Sequence, residues 1–340
     1  MGAHNGNNDG IICSYLLDRK GRGQEISRAE LGTNNFSGRL LWVHLDRAGT
    51  EGKLWLDEQS GVDPFVCDGL FESADVSTER WISEGRPRCI VFEDGVIINL
   101  RGANLNPGAV ANDMVVVRLW ISPDKIISVR RRHMMAIDDI RESMAEGKGP
   151  RGPSEFVIML TARLLERMGP VLAKFQRLVD DLEQVMITAR NIELRSQIVE
   201  LRRDAIEWRR HIAPQRRALE SLMTAQVSWL GENDRTLLLD LIQDITKHVE
   251  DLDGVRERAI IIQDEISNQL SEQMNRTMFQ LSLIAATFLP LGFLTGLLSM
   301  NLAGVPIPGA STPWAFWIVC TLLFVVGGVA VLVFRRLKWM

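Results

Sequence analysis

Several common signatures are absent from this sequence, and each absence narrows its function. Its four cysteines (Cys13, Cys67, Cys89, Cys320) are scattered with no C-x-x-C pair, which argues against a disulfide framework and against a thiolate metal site. The five histidines, at positions 4, 44, 133, 211 and 248, include no H-x-x-x-H pair, so no recognisable imidazole metal site is present. No P-loop, no G-x-S-x-G and no G-x-G-x-x-G after a strand pattern occurs. Enzyme catalysis therefore has no residue to point at. A basic excess is missing too, because Met1 to Arg276 holds 36 basic against 43 acidic residues, a net charge of −7. Nucleic acid is excluded as a partner on that ground, since phosphate binding needs a basic surface. The short run Arg130-Arg131-Arg132-His133 reads instead as surface ion-pair partners within an acidic domain. The opening MGAHNGNNDG has neither a charged-then-apolar leader nor, with Gly6 at the Ser/Thr position, a myristoylation pattern.

The most informative absence is that of charge itself. All 82 charged residues lie outside Thr277 to Phe334, 58 positions without Asp, Glu, Lys, Arg or His. Met278 to Met300 reaches roughly 35 Å as a helix, enough to cross a hydrocarbon core of about 30 Å. Pro313 to Phe334 is a second such run, and residues 301–312 between them hold two Pro, two Gly and no charge. The expectation is a hairpin of two membrane spans; a buried helical hairpin in a soluble core would carry caps and polar breaks. Arg335, Arg336 and Lys338 follow the second span and place the C-terminus in the cytoplasm by the positive-inside rule. Two crossings return the chain to its starting side, so the N-terminal region is expected there as well. Trp314, Trp317 and Trp339 sit where amphipathic rings favour the membrane interface.

Residues 1–150 punctuate like a mixed α/β domain. Runs at 40–45, 88–92, 95–100, 114–120 and 125–130 are β-branched and apolar, bounded by Gly, Pro, Asn and Asp clusters. Glu93-Asp94-Gly95 and Ser122-Pro123-Asp124 are hairpin-length turns, so the runs they join read as antiparallel neighbours. From Glu155 the period becomes helical, with Phe156, Met159, Leu160, Leu164 and Met168 on one face, continuing past Pro170 to Met186. Ile192 to Trp229 repeats the pattern, and the two helices are expected to pair as an antiparallel arm over 151–232. Asn233-Asp234 looks like an N-cap, after which Leu238, Leu241, Ile245, Val249 and Leu252 step by three and four. An unbroken helix from Asp234 to Met300 is about 100 Å long. Such a helix needs partners along its apolar stripe. The organisation read from this is 233–277 as a cytoplasmic stalk, 278–300 as the first span, 301–312 as an outer loop, 313–334 as the second span and 335–340 as a basic tail. Glu232 to Arg276 carries 11 acidic and 5 basic residues, which would line an acidic vestibule if copies ringed an axis, or otherwise form a solvated face.

The end of the first span, Phe288-Leu289-Pro290-Leu291-Gly292-Phe293-Leu294-Thr295-Gly296, followed by Ser299-Met300-Asn301, resembles the CorA superfamily of divalent-cation transport proteins. The layout of long cytoplasmic helix, F-x-P-x-x-F-x-x-G, x-M-N, short loop, second span and basic tail covers the whole chain. The loop from Asn301 to Gly309 has no acidic residue and is similar to that of the zinc-transporting ZntB branch, whereas Met300 matches the magnesium branch. Ser299 stands where the family signature has Gly; it is small enough to keep close helix packing.

The resemblance implies an α+β cytoplasmic domain, a mixed sheet flanked by helices, on a long stalk helix with two C-terminal transmembrane helices, assembled as a funnel-shaped homopentamer in the cell inner membrane. It implies a pore lined by the first span at Met278, Leu281, Ala285, Leu289 and Gly292, with Ser299, Met300 and Asn301 as its selectivity region. Five Asn301 amides would form a ring of neutral acceptors that holds a hydrated dication without trapping it. Asp264 falls where magnesium-branch members carry an acidic regulatory residue; solvation is the plainer reading of it. The expected cargo is Zn2+, with Cd2+, Ni2+ and Co2+ beside it, moved inward, and no resident cofactor is implied. Proton coupling, associated with the ZntB branch, finds no carboxylate or histidine between Thr277 and Phe334 to serve it. The alternatives are a CorA-type magnesium channel and a membrane-anchored sensor or scaffold with two spans.

Overall fold

The structure, a computed structural model, describes residues 10–32, 38–71, 86–109, 112–188, 192–299 and 314–336. The elements in chain order are β1 (Ile11–Leu17), β2 (Gly23–Glu25), α1 (Arg28–Leu31), β3 (Leu40–Asp46), α2 (Thr50–Glu58), α3 (Pro64–Phe71), β4 (Arg88–Val91), β5 (Val96–Gly102), β6 (Val115–Ile121) and β7 (Lys125–Arg130). Helices follow: α4 (Met135–Ala145), α5 (Pro153–Thr188), α6 (Ile192–Thr224), α7 (Glu232–Ser299) and α8 (Ala315–Arg336). The chain divides into two compact units, Met1–Gln263 and Asp264–Met340. That division falls inside the stretch read as a stalk.

In the first unit the seven strands form one mixed sheet in the order β2-β1-β3-β7-β6-β5-β4. All five strand runs read from the sequence are present. Both hairpins are antiparallel, with Ile90 opposite Ile97 and Trp120 opposite Ile127. Ser122 closes the second one, its N–H donating to the Lys125 carbonyl at 2.8 Å and its hydroxyl to Asp124 Oδ1 at 2.7 Å. Two elements add to that reading. Strands β1 and β2 extend the sheet beyond β3, and β3 pairs with β7 in parallel, His44 beside Ser128.

Alternation along β3 explains why both sheet faces are covered. Leu41, Val43 and Leu45 point to one side and Leu40, Trp42 and His44 to the other, and all six are buried. The first side packs on Leu31 of α1, Trp55 and Leu56 of α2, and Val66 and Leu70 of α3. On the second side Trp42 meets Phe156 of α5 edge-on, ring centroids 5.0 Å apart, and α5 and α6 lie along β5. Buried Arg118 of β6 donates to the carbonyls of Gly69 and Leu70, so this charged strand residue serves the C-terminal turn of α3.

Two helix boundaries differ from those expected. Helix α6 ends at Thr224 rather than Trp229, because Arg235 reaches back to accepting carbonyls at Met223 and Ala225 and satisfies the last turn, leaving the chain free to bend. Helix α7 starts at Glu232; Asp234 is its third residue, and its carboxylate accepts the Gly231 N–H at 3.0 Å. Phe175 of α5 and Trp208 of α6 meet edge-on at 5.8 Å. Pro170, Pro214 and Pro290 lie within continuous helices.

Candidate functional site

Helix α7 is 68 residues long and changes character along its length. In the first unit Leu238, Leu241, Ile242, Ile245, Leu252, Val255, Ala259 and Ile262 are buried, a stripe at helical spacing. Ile262 is the last buried position of α7 among the described residues. Polar side chains rim the stripe and tie α7 to its neighbours. Arg209 of α6 pairs with Asp253 at 2.8 Å, and Arg202 of α6 donates to Gln263 at 3.3 Å. Arg258 donates through Nε and Nη2 to the two oxygens of Glu183, at 2.8 and 2.6 Å, and through Nη2 to Asp180 at 2.6 Å. These hydrogen bonds raise the affinity of the guanidinium for its proton and hold the Glu183 carboxyl below its ordinary range. His248 is also held below its ordinary value, by burial, against the opposing pull of Asp244 and Asp251. No sequence pattern points to the Arg258 contacts, because residues 75 and 78 positions apart carry no shared spacing.

The second unit begins with Asp264, which is exposed on α7. Among the described residues no group of three His, Cys, Asp or Glu side chains is placed to hold a metal ion. From Met278 onward α7 presents two different faces. Leu283, Thr287, Leu291 and Leu294 form a half-buried stripe, and every other position from Met278 to Leu297 is exposed, Met278, Leu281, Ala285, Leu289 and Gly292 among them, Leu289 at 73%. At about 3.6 residues per turn these five lie on roughly the opposite side of the helix from the stripe. Within the half-buried set Leu291 faces α8: a methyl group built at Gly327 would sit 3.7 Å from Leu291 Cδ1, ordinary contact distance. Thr287 returns its hydroxyl to the Leu283 carbonyl at 2.8 Å and Thr295 to that of Gly292 at 2.9 Å, so neither presents an unpaired donor to an apolar surrounding.

The five residues expected to line a pore are therefore together on one exposed, uncharged face of α7. Ser299 closes the described part of that helix, and Met300 and Asn301 lie outside the described residues. Among the described residues one helix, α7, is long and apolar enough to cross a membrane, with mean hydropathy 1.6 in its apolar window. Helix α8 has 22 residues, and its apolar stretch Cys320–Val329 is shorter.

Comparison with known proteins finds relatives along nearly the whole chain. The divalent cation transporter CmaX of Pseudomonas aeruginosa is 35% identical over 340 residues, covering 98% of each chain. The zinc transport protein ZntB of Pectobacterium carotovorum is 31% identical over 332 residues, covering 97% of this chain and 96% of that one. The solved structure of full-length CmaX superposes with a TM-score of 0.80 at 34% identity, covering 99% of this chain and 100% of that chain. Residues 37–336 match the family described as CorA-like Mg2+ transporter protein. The chain thus belongs to the CorA family, a family of divalent-cation transporters and not of enzymes.

Proposed function

We propose that this protein conducts divalent transition-metal cations, zinc foremost, inward across the cell inner membrane. The pore of this reading is formed by a homopentamer in which the exposed face of α7 meets its own copies around an axis. The observation that carries it is the long uncharged stretch of α7, half-buried along one narrow stripe that includes Leu291 beside Gly327 of α8 and open on the side of Met278, Leu281, Ala285, Leu289 and Gly292. An isolated chain leaves that face without a partner, and a symmetric ring supplies one. Helices α7 and α8 are then the two spans, with both chain ends in the cytoplasm. The apolar lining would exclude water when closed and so gate by dewetting, while Asn301 would contact the hydrated ion at the outer mouth.

Zinc is preferred over magnesium because the loop after Asn301 has no acidic residue and because ZntB proteins are relatives along nearly the full chain. Magnesium is the second reading, favoured by the Met300-Asn301 pair and by the family description. The test is cation flux into proteoliposomes containing the purified protein, zinc against magnesium, with and without a pH gradient. Zinc flux abolished by Asn301→Ala supports the proposal; flux of magnesium alone moves the protein to the second reading. Background flux with both ions overturns transport and leaves an anchoring or scaffold role.

A further inference from the structure

Helix α5 offers two carboxylates, Asp180 and Glu183, one turn apart beside its buried residues Val179 and Leu182. Helix α7 offers Arg258 beside Val255, Ala259 and Ile262. Two carboxylates one helical turn apart, facing a cytoplasm that holds free dications, are an obvious seat for a metal ion. In this protein the seat is filled by the chain's own cation. Arg258 engages Glu183 with a two-pronged fork and shares one nitrogen with Asp180, all three contacts between 2.6 and 2.8 Å. A planar guanidinium with fixed donors matches this arrangement in a way a lysine would not.

We propose that Arg258 is a tethered counter-cation that locks α5 onto α7 and so makes this joint independent of cytoplasmic divalent metal. Its charge, not only its hydrogen bonds, does the holding: two like-charged groups on α5 stand together at the edge of its contact with α7, and the Arg258 guanidinium sits between them and α7. Helix α7 is also the helix that carries the candidate pore face, so the lock fixes the seating of the pore-forming helix in the first unit. The lock is the same whichever cation is transported.

Hydrogen exchange of the full-length protein in detergent tests it, read on peptides of α5 around Asp180. The wild type should exchange at the same rate with EDTA and with millimolar Mg2+. Arg258→Gln should exchange about threefold faster in EDTA, the scale of one partly exposed ion pair, and Mg2+ should restore its protection by occupying the vacated carboxylates. The triple variant Arg258→Gln, Asp180→Asn, Glu183→Gln should show no response to Mg2+. Wild-type protection that requires Mg2+ would overturn the proposal, since metal would then hold the joint. So would Arg258→Gln exchanging like the wild type, or a loss in that variant that Mg2+ fails to reverse, or an equal Mg2+ response in the triple variant. Near-ultraviolet circular dichroism establishes that each variant is folded before the comparison is made.

Discussion

His44 Nδ1 lies 2.7 Å from Ser128 Oγ across the parallel β3–β7 pair, and Trp42 Nε1 donates to the same hydroxyl at 2.9 Å. One serine thus anchors two rings in the middle of the sheet. His44 is 1% exposed, its Nε2 has no partner, and burial together with the charge of Arg130 pushes it down to about 3. The neutral imidazole is the form that folds. At pH above about 6.5 neither folded nor unfolded chain protonates this group, and it costs nothing. As pH falls below that value the unfolded state takes up a proton that the folded state refuses, until pH about 3. Stability therefore drops through this window by about 1.4 kcal/mol per pH unit. Urea unfolding followed by tryptophan fluorescence at pH 7 and pH 5 should show a loss about 2 kcal/mol larger in the wild type than in His44→Leu. Equal losses in both would contradict the assignment.

Ser128→Ala removes the acceptor of Trp42 and the side-chain partner of His44 while barely changing side-chain volume. The buried Trp42 N–H is left unpaired at a cost of about 1–3 kcal/mol, while His44 keeps its hydrogen bond to the Ser128 backbone. The unfolding midpoint in urea should fall accordingly. A shift no larger than that of an exposed Ser→Ala control, such as Ser221→Ala, would show that the cluster is not stabilising. Ser221 is exposed, and its hydroxyl only returns to its own helix.

How much of this is legible in the sequence depends on distance along the chain. The strands at 40–45 and 125–130 announce themselves by β-branched runs, and the hairpin turns by Glu93-Asp94-Gly95 and Ser122-Pro123-Asp124, all local signals. That β3 lies beside β7 is not legible, because a parallel partner about 80 residues away leaves no local mark. Strand β1 escapes notice although Ile11-Ile12-Cys13-Ser14-Tyr15-Leu16-Leu17 is apolar; it follows a polar start and pairs only with distant or very short segments. In the second unit the uncharged run is what the sequence shows by itself; the choice of Leu281, Ala285, Leu289 and Gly292 as one face comes from the family resemblance, and helical period then sets them opposite Leu283, Thr287, Leu291 and Leu294. The Arg258 lock needs three dimensions.

Glycine at position 52 is required by the backbone of β1's approach. A Cβ there would lie 2.7 Å from the Gly10 carbonyl oxygen, and one at Gly10, whose φ is +80°, would lie 2.8 Å from that of Gly49. Both obstacles are backbone atoms and cannot swing aside. Gly52→Ala should lower stability by about 1–3 kcal/mol, read as the thermal midpoint of the detergent-solubilised protein. Gly152→Ala, where a methyl meets nothing within 4 Å, should leave it unchanged.

Three thiols of the first unit should be nearly inert. Burial pushes Cys13 and Cys89 up to about 12 and Cys67 to about 11, so little thiolate exists near neutral pH. Iodoacetamide at pH 8 should modify each of them at least tenfold more slowly than it modifies the urea-unfolded chain, measured by mass spectrometry of the intact peptides. Fast labelling of Cys13 in folded protein would require local opening of β1, the element that carries it.

The two faces of α7 make opposite predictions for one kind of substitution. Leu289→Asn places an amide on the exposed face, 73% open in the isolated chain, where the proposed closed pore keeps water out by being apolar. Wetting that constriction should raise basal dication flux into proteoliposomes about tenfold, with assembly unchanged on size-exclusion chromatography. Leu291→Asn places the same amide against α8, where a methyl at Gly327 would already touch the leucine. It should lower thermal stability by about 1–3 kcal/mol for an amide deprived of partners, and leave the flux per folded assembly close to that of the wild type. If Leu291→Asn opens the pathway and Leu289→Asn only destabilises, the helix is rotated by half a turn from the proposed orientation, and the pore face is the one that α8 covers.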